Sequence, residues 1–311
     1  MWRLLLGAGV VLFAIALALA LLLPAPKRHE IAATAVQITI PAHPAPTTTV
    51  TTTAPAPQPA PVPPSVPMSW QNAGGLVVHT SGIDPLWLGQ QMQSAGFGWI
   101  AVDLGTAPDP SWIARFRTAT GFPVGGWSVL GANPQHDATV AAQAVETYGL
   151  SFYIADAEEP YGYTDRGTTS DTRYARSGVF VATFRKLQPT LPAAVSSYCR
   201  PDQHDIDWAA WVNGGFDFLP QAYVNDFGMA ASPSACANGA AKWFPRDKVH
   251  PVVGSYSGLR GLVSPETWGR LLSAAGTTGF AIYPAEVGLS NQDWAAFGQS
   301  LRAARLASLP G

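Results

Sequence analysis

The chemistry this chain could do is concentrated in one stretch, Asp156-Ala157-Glu158-Glu159-Pro160-Tyr161, which follows the apolar run Phe152–Ala155. If Asp156 ends a β-strand, Asp156 and Glu158 lie two residues apart and share a face. Two carboxylates crowded together repel, so one takes up a proton near neutrality while the other stays ionised. Glycosidic bond cleavage needs that combination: one group protonates the leaving oxygen, and the other stabilises positive charge at the sugar or orients a helper group. A strand ending one residue earlier would turn Glu159 inward in place of Glu158. The bland alternatives are a solvated acidic loop, or carboxylates paired with Arg166 or Arg173.

The remaining candidate residues fall at or near the ends of other apolar runs. His79 ends the first run, Asp103 lies near the end of the second and Trp127 near the end of the third. Tyr198 ends the fifth, Gln221, Tyr223 and Asn225 alternate along the sixth, Tyr256 ends the seventh, and Tyr283 and Glu286 close the eighth. With Tyr161, these are the expected substrate contacts, because Tyr and Trp rings offer faces to the C–H surfaces of sugars. Glu286 is a candidate partner carboxylate across the opening, or a surface-loop residue. Asp103 could equally be a structural hydrogen-bonding group.

Several other chemistries lack their markers. No CxxC or CxxH spacing exists and no second histidine keeps metal spacing with His79, so neither a metal site nor a cofactor is expected. No GxSxG elbow, P-loop or HExxH is present. Gly254-Ser255-Tyr256-Ser257-Gly258 has the glycines of an elbow but Tyr in the nucleophile position.

The elements that must position these residues alternate. The expected strands are Leu76–Thr80, Trp99–Leu104, Val124–Val129, Phe152–Asp156, Ala193–Tyr198, Phe216–Tyr223, His250–Tyr256 and Gly279–Tyr283. Punctuated helices lie between them. Asp84-Pro85 opens one that Gly96 ends, Asp109-Pro110 and Gly121 frame a second, and Ser264-Pro265 and Gly276 frame another. Ser290 with Asp293 is a variant of the capping box before the last helix. Strands alternating with helices imply a parallel sheet, and the fold class expected is a (β/α)₈ TIM barrel. The alternative, an open doubly wound sheet, usually carries a GxGxxG turn after its first strand. Here that turn reads Thr80-Ser81-Gly82-Ile83-Asp84. In a barrel the loops after the strands form the active face.

The 311-residue chain divides into three parts. Residues 1–25 hold a run from Leu4 to Leu23 that is long enough to cross a ~30 Å hydrocarbon core. They read as an uncleaved signal anchor, or as a signal peptide with Ala33-Thr34-Ala35 as the distant processing site. Residues 26–68 are a Pro/Thr-rich linker that cannot bury enough apolar surface to fold, and proline holds it extended. Residues 69–311 form the barrel domain. The expected location is extracytoplasmic, either tethered to the membrane through the N-terminal helix or secreted. A net charge of −2 gives no basic field for nucleic acid, so none is expected as a partner. The two cysteines, Cys199 and Cys236, read as one disulfide in an exported chain, or as two buried thiols. They follow the fifth and sixth strands, whose ends are neighbours in a barrel, so a bridge would pin the groove wall.

With Asp156-Ala157-Glu158 at the fourth strand, the domain resembles glycoside-hydrolase barrels of the family 25 lysozyme type and related actinobacterial barrel domains. The resemblance implies general acid catalysis by Glu158 with Asp156 as the stabilising carboxylate, and a cell-wall polysaccharide or peptidoglycan as substrate. The chain departs from that family at three places. His79 stands where the family has Asp, Gln221-Ala222-Tyr223 matches an aromatic pair only loosely, and Ile282-Tyr283-Pro284 replaces Trp-Gln-Tyr. The same barrel could instead hold a glycan without cutting it, or serve as a structural envelope protein.

Overall fold

The computed structural model describes residues 67–70, 74–162, 170–201, 206–277, 279–283 and 289–307. The expected anchor, nearly all of the linker, Arg166 and Glu286 lie outside the described residues. Among those described, no helix is long and apolar enough to cross a membrane.

Capping chemistry sets the helix limits. The Asp84 carboxylate accepts from the backbone N–H groups of Leu86 and Trp87 and starts α1 (Pro85–Ala95), which Gly96 ends in the left-handed region at φ 78°. Asp109 and Gly121 do the same for α2 (Pro110–Thr120), and Ser264 and Gly276 for α9 (Pro265–Ala275). Ser290 and Asp293 cap reciprocally before α10 (Asn291–Ala307). The remaining helices are α3 (Pro134–Tyr148), α4 (Glu159–Gly162), α5 (Ser170–Leu187), α6 (Trp208–Asn213), α7 (Val224–Phe227) and α8 (Pro233–Ala240).

The strands are β1 (Gly74–Val78), β2 (Phe97–Asp103), β3 (Val124–Val129), β4 (Tyr153–Asp156), β5 (Ala193–Tyr198), β6 (Asp217–Gln221), β7 (Val252–Gly254) and β8 (Phe280–Tyr283). All pair in parallel in sequence order, and β1 pairs with β8, so the sheet closes into a (β/α)₈ barrel. Alternation divides the core in two. Outward residues such as Leu76, Ile100, Tyr153 and Val195 pack against the helices. Inward residues such as Val77, Trp99, Phe152, Ile154 and Leu219 fill the barrel.

Two glycines make room for that filling. A Cβ on Gly75 would stand 2.1 Å from the Trp99 ring, and one on Gly125 would stand 2.2 Å from Phe152. Trp70, just ahead of β1, plugs the floor with its ring 5.2 Å from Trp99 and 5.1 Å from Phe152. It stacks on buried His250, whose Nε2 lies 3.0 Å from Asp217. The Lys248 ammonium meets the other Asp217 oxygen at 2.9 Å. The barrel is therefore blocked at the strand N-termini and open at their C-termini, where the predicted polar residues collect.

Candidate active site

The open end holds a recess of about 480 Å³ lined by Val77, Trp127, Ile154, Asp156, Glu158, Ser196, Leu219, Gln221, Tyr223, Val252 and Tyr283. Period-two alternation accounts for most of this wall. Ile154 and Asp156 point inward from β4, opposite Ala194 and Ser196 of β5. Leu219 and Gln221 point inward from β6, and Tyr223 follows on the same parity.

Glu158 lies beyond the end of β4 yet keeps the inward face. The reason is local: the Ala157 N–H still donates to the Ser196 carbonyl at 2.9 Å, and the Ser197 hydroxyl donates to the Ala157 carbonyl at 2.5 Å. These bonds carry strand geometry one residue past Asp156, so Ala157 is buried outward and Glu158 turns in. Glu159 then opens α4 and is exposed, outside the recess. Of the two glutamates, Glu158 is the one that lines the recess.

Gln221 joins the two inward acids. Its Nε2 donates to Asp156 Oδ1 at 3.0 Å and to Glu158 Oε1 at 2.6 Å. Burial pushes the Asp156 carboxyl well above the ordinary carboxylate range, the negative charge of Glu158 adds to the rise, and hydrogen bonds from Ser196 and Gln221 offset part of it. Burial thus favours the neutral form of Asp156, the group that the resemblance made the stabilising partner.

Aromatic rings form the rest of the mouth. Trp127 meets Tyr283 edge-to-face at 5.7 Å, and Tyr223 lies nearly parallel to Tyr283 at 6.2 Å. His79 sits at the rim, 5.3 Å from Trp127, with its Nδ1 2.9 Å from buried Asp103. Asp103 also accepts from the Gly105 N–H at 2.8 Å, so it shapes the loop after β2 and positions His79 without lining the recess.

A second hollow of about 1100 Å³ adjoins the recess and shares Glu158, Gln221 and Tyr223 with it. Tyr198, Cys199, Arg200, Asp226 and Phe227 complete its sides. Cys199 and Cys236 form a disulfide that ties the end of β5 to α8 and fixes that wall. The Asp226 carboxylate accepts from the Tyr256 hydroxyl at 2.6 Å and from the Leu259 N–H at 2.9 Å, holding the loop after β7 against the loop after β6.

Tyr256, like Asp103, lines neither hollow, and Tyr161 and Asn225 are buried away from both. Tyr161 is fully buried, because α4 turns its ring inward against α6, 6.3 Å from Trp211. Asn225 is also fully buried, and its side-chain N–H donates to the Tyr256 carbonyl at 3.2 Å. It braces the β6 and β7 loops from behind, and Gly254 leaves the space its amide needs. Ser196 and Arg200 were missed. Ser196 was readable, since it stands two residues before Tyr198 on the inward face of β5. Arg200 lies past the strand, where no periodicity reaches.

Fold and mouth together define a closed (β/α)₈ barrel whose floor is plugged and whose opening presents two bridged carboxyl groups among aromatic rings. No protein-family model matches the sequence, and no curated protein matches it either. Solved structures do resemble the fold. A GH18 chitinase from Pseudoalteromonas aurantia aligns over 73% of this chain and 99% of its own, with a TM-score of 0.54 and 13% identity. A GH36 alpha-galactosidase from Geobacillus stearothermophilus aligns over 76% of this chain but 42% of its own, with a TM-score of 0.52 and 7% identity. A D-allulose 3-epimerase from Methylomonas sp. aligns over 78% of this chain and 100% of its own, with a TM-score of 0.50 and 10% identity. At these identities the likeness is one of fold. It runs to glycoside hydrolase barrels and to a sugar epimerase alike.

Proposed function

We propose that this chain is an exported glycoside hydrolase that cleaves a cell-wall or extracellular polysaccharide through Glu158 and Asp156. The observation that carries the reading is the carboxyl pair on Gln221, set where the recess meets the groove. Burial favours the neutral form of Asp156 beneath the junction. Asp156 passes its proton to Glu158, which hands it to the leaving glycosidic oxygen, and the carboxylate left on Asp156 stabilises the developing oxocarbenium ion. Gln221 orients both groups, and Tyr223, Tyr283 and Trp127 position the sugar rings.

The apolar run, the Pro/Thr segment and the disulfide all support a location outside the cytoplasm. The test is release of reducing ends from insoluble wall glycan by the wild type and by Glu158→Gln. Full activity in the variant would eliminate the assignment.

A second reading has one observation in its favour: His79, engaged with Asp103, occupies the first-strand end where the resembled family carries a carboxylate. It makes the barrel a non-catalytic glycan-binding module. Retention on insoluble wall with no reducing ends released would select it.

A further inference from the structure

The two inward acids face different spaces. Both line the recess, but only Glu158 also lines the adjoining hollow. In the proposed reaction the sugar that develops positive charge lies against Asp156, and so in the recess, because attraction between charges falls with distance. The oxygen that takes the proton lies at Glu158, on the border of the two spaces. The part of the glycan that departs with that oxygen then extends into the hollow.

Phe227 stands on the wall of this hollow and is 61% exposed. One exposed ring is ordinary on a protein surface; the loop that carries this one is not loose. The Phe227 N–H donates to the Tyr223 carbonyl at 2.9 Å, and the Arg260 N–H donates to the Asn225 carbonyl at 2.7 Å. Asp226 adds its bonds from Tyr256 and Leu259, and the Cys199–Cys236 bridge fixes another part of the same wall. The ring is thus presented by backbone that has little freedom left to lose on binding. Ala230 and Ala231 line the hollow with it and make no polar demand. We infer that the hollow receives the leaving side of the glycan, the units toward its reducing end, and that Phe227 is the platform on which one of those sugars stacks. This inference rests on the glycan-cleaving reading of the same site. It adds the direction in which the substrate lies and a residue that selects for chains extended on that side.

The experiment follows peptide-free peptidoglycan chains of one fixed length, tagged at the reducing end, as they are cleaved by the full chain and by its Phe227→Ala variant. Mass spectrometry of the tagged products shows which bond is cut. Loss of the platform is expected to raise KM about 5-fold, the loss falling on KM rather than on kcat. Cleavage also moves toward the tagged end, because the units that fill the hollow are held less well. Phe227→Tyr keeps the wild-type pattern, whereas Phe227→Leu, which retains bulk without an aromatic face, lies close to Ala. Thermal melts check folding; should Phe227→Ala not fold, Phe227→Leu carries the comparison. An unchanged pattern in the folded variants, or cleavage moving away from the tagged end, overturns the inference and leaves the glycan-cleaving reading standing. No cleavage by the wild type removes the wall-glycan reading and the inference with it.

Discussion

Glu158 accepts a 2.6 Å hydrogen bond from the side chain of Gln221, a residue 63 positions further along the chain. The same nitrogen reaches Asp156 at 3.0 Å, so a single amide satisfies two acids. Replacing Gln221 with Ala leaves both oxygens without that donor in a partly dry site. A loss of about 1–3 kcal/mol is expected, the usual cost of unpaired buried polar groups. Urea unfolding measures it, and a variant as stable as the wild type would show that water takes over the bridge.

Asp156 predicts a pH signature. Its carboxyl is held well above the ordinary range, chiefly by burial and secondly by Glu158. The folded state therefore binds this proton more tightly than the unfolded chain does. The resulting stabilisation is present below the unfolded carboxylate value of about 3.9 and fades as pH rises through the raised folded value. Asp156→Asn removes the titration. Its melting temperature relative to wild type should rise steadily from acidic to alkaline pH, and a pH-independent difference would contradict the buried-acid description.

The two adjacent glutamates should separate cleanly. Glu158 faces the recess and groove, whereas Glu159 is exposed at the start of α4. Loss of a positioned general acid typically costs about 10²–10⁴-fold in rate. Glu158→Gln is expected to fall in that range on wall glycan, with Glu159→Gln within about twofold of wild type. Reducing-end assays on the two variants side by side decide it; the reverse order would mean that the loop rearranges on binding.

The disulfide links Cys199 to Cys236 across a sequence separation of 37. Closing a loop of that size stabilises by roughly 3–4 kcal/mol in the chain-entropy account. A Cys199→Ser/Cys236→Ser chain should unfold at lower denaturant by about that amount. Because Cys199 lines the groove, binding of long oligosaccharides should weaken more than binding of short ones. Equal loss for both would separate the bridge from the groove wall.

Inside the barrel, Gly125→Ala drives a methyl group into the Phe152 ring, whose nearest atom stands 2.2 Å from the added Cβ. Overpacking of this kind costs about 1–3 kcal/mol. The same change at Gly121, a helix-ending glycine with open space but φ 68°, acts through backbone strain instead. Calorimetric melts of both variants, with Gly125→Ala/Phe152→Leu as the relieving pair, test the packing account. Failure of the double variant to recover stability would refute it.

Much of this architecture was legible in the order of residues. Asp84-Pro85 with Gly96, Asp109-Pro110 with Gly121 and Ser264-Pro265 with Gly276 delimit helices through contacts made within a few residues, so local chemistry suffices. Strand ends were readable to within a few residues, and their shared parity put Asp156, Gln221 and Tyr223 on one face. The cysteine pairing followed once neighbouring strand ends were assumed, and the bridge lies there.

Other features needed the closed barrel. Glu158 turns inward because Ala157 goes on pairing with β5, an interaction between segments about forty residues apart. Tyr161 looked like a groove residue, but it is buried, with its ring against Trp211 of α6. Asp156 is pushed upward chiefly by burial, since depth below the mouth, and not residue type or spacing, governs how strongly a charge is penalised. Local sequence dictates hydrogen bonds that close within one or two turns. Which acid is dry, which ring is covered and which amide joins two strands are settled only when distant segments meet.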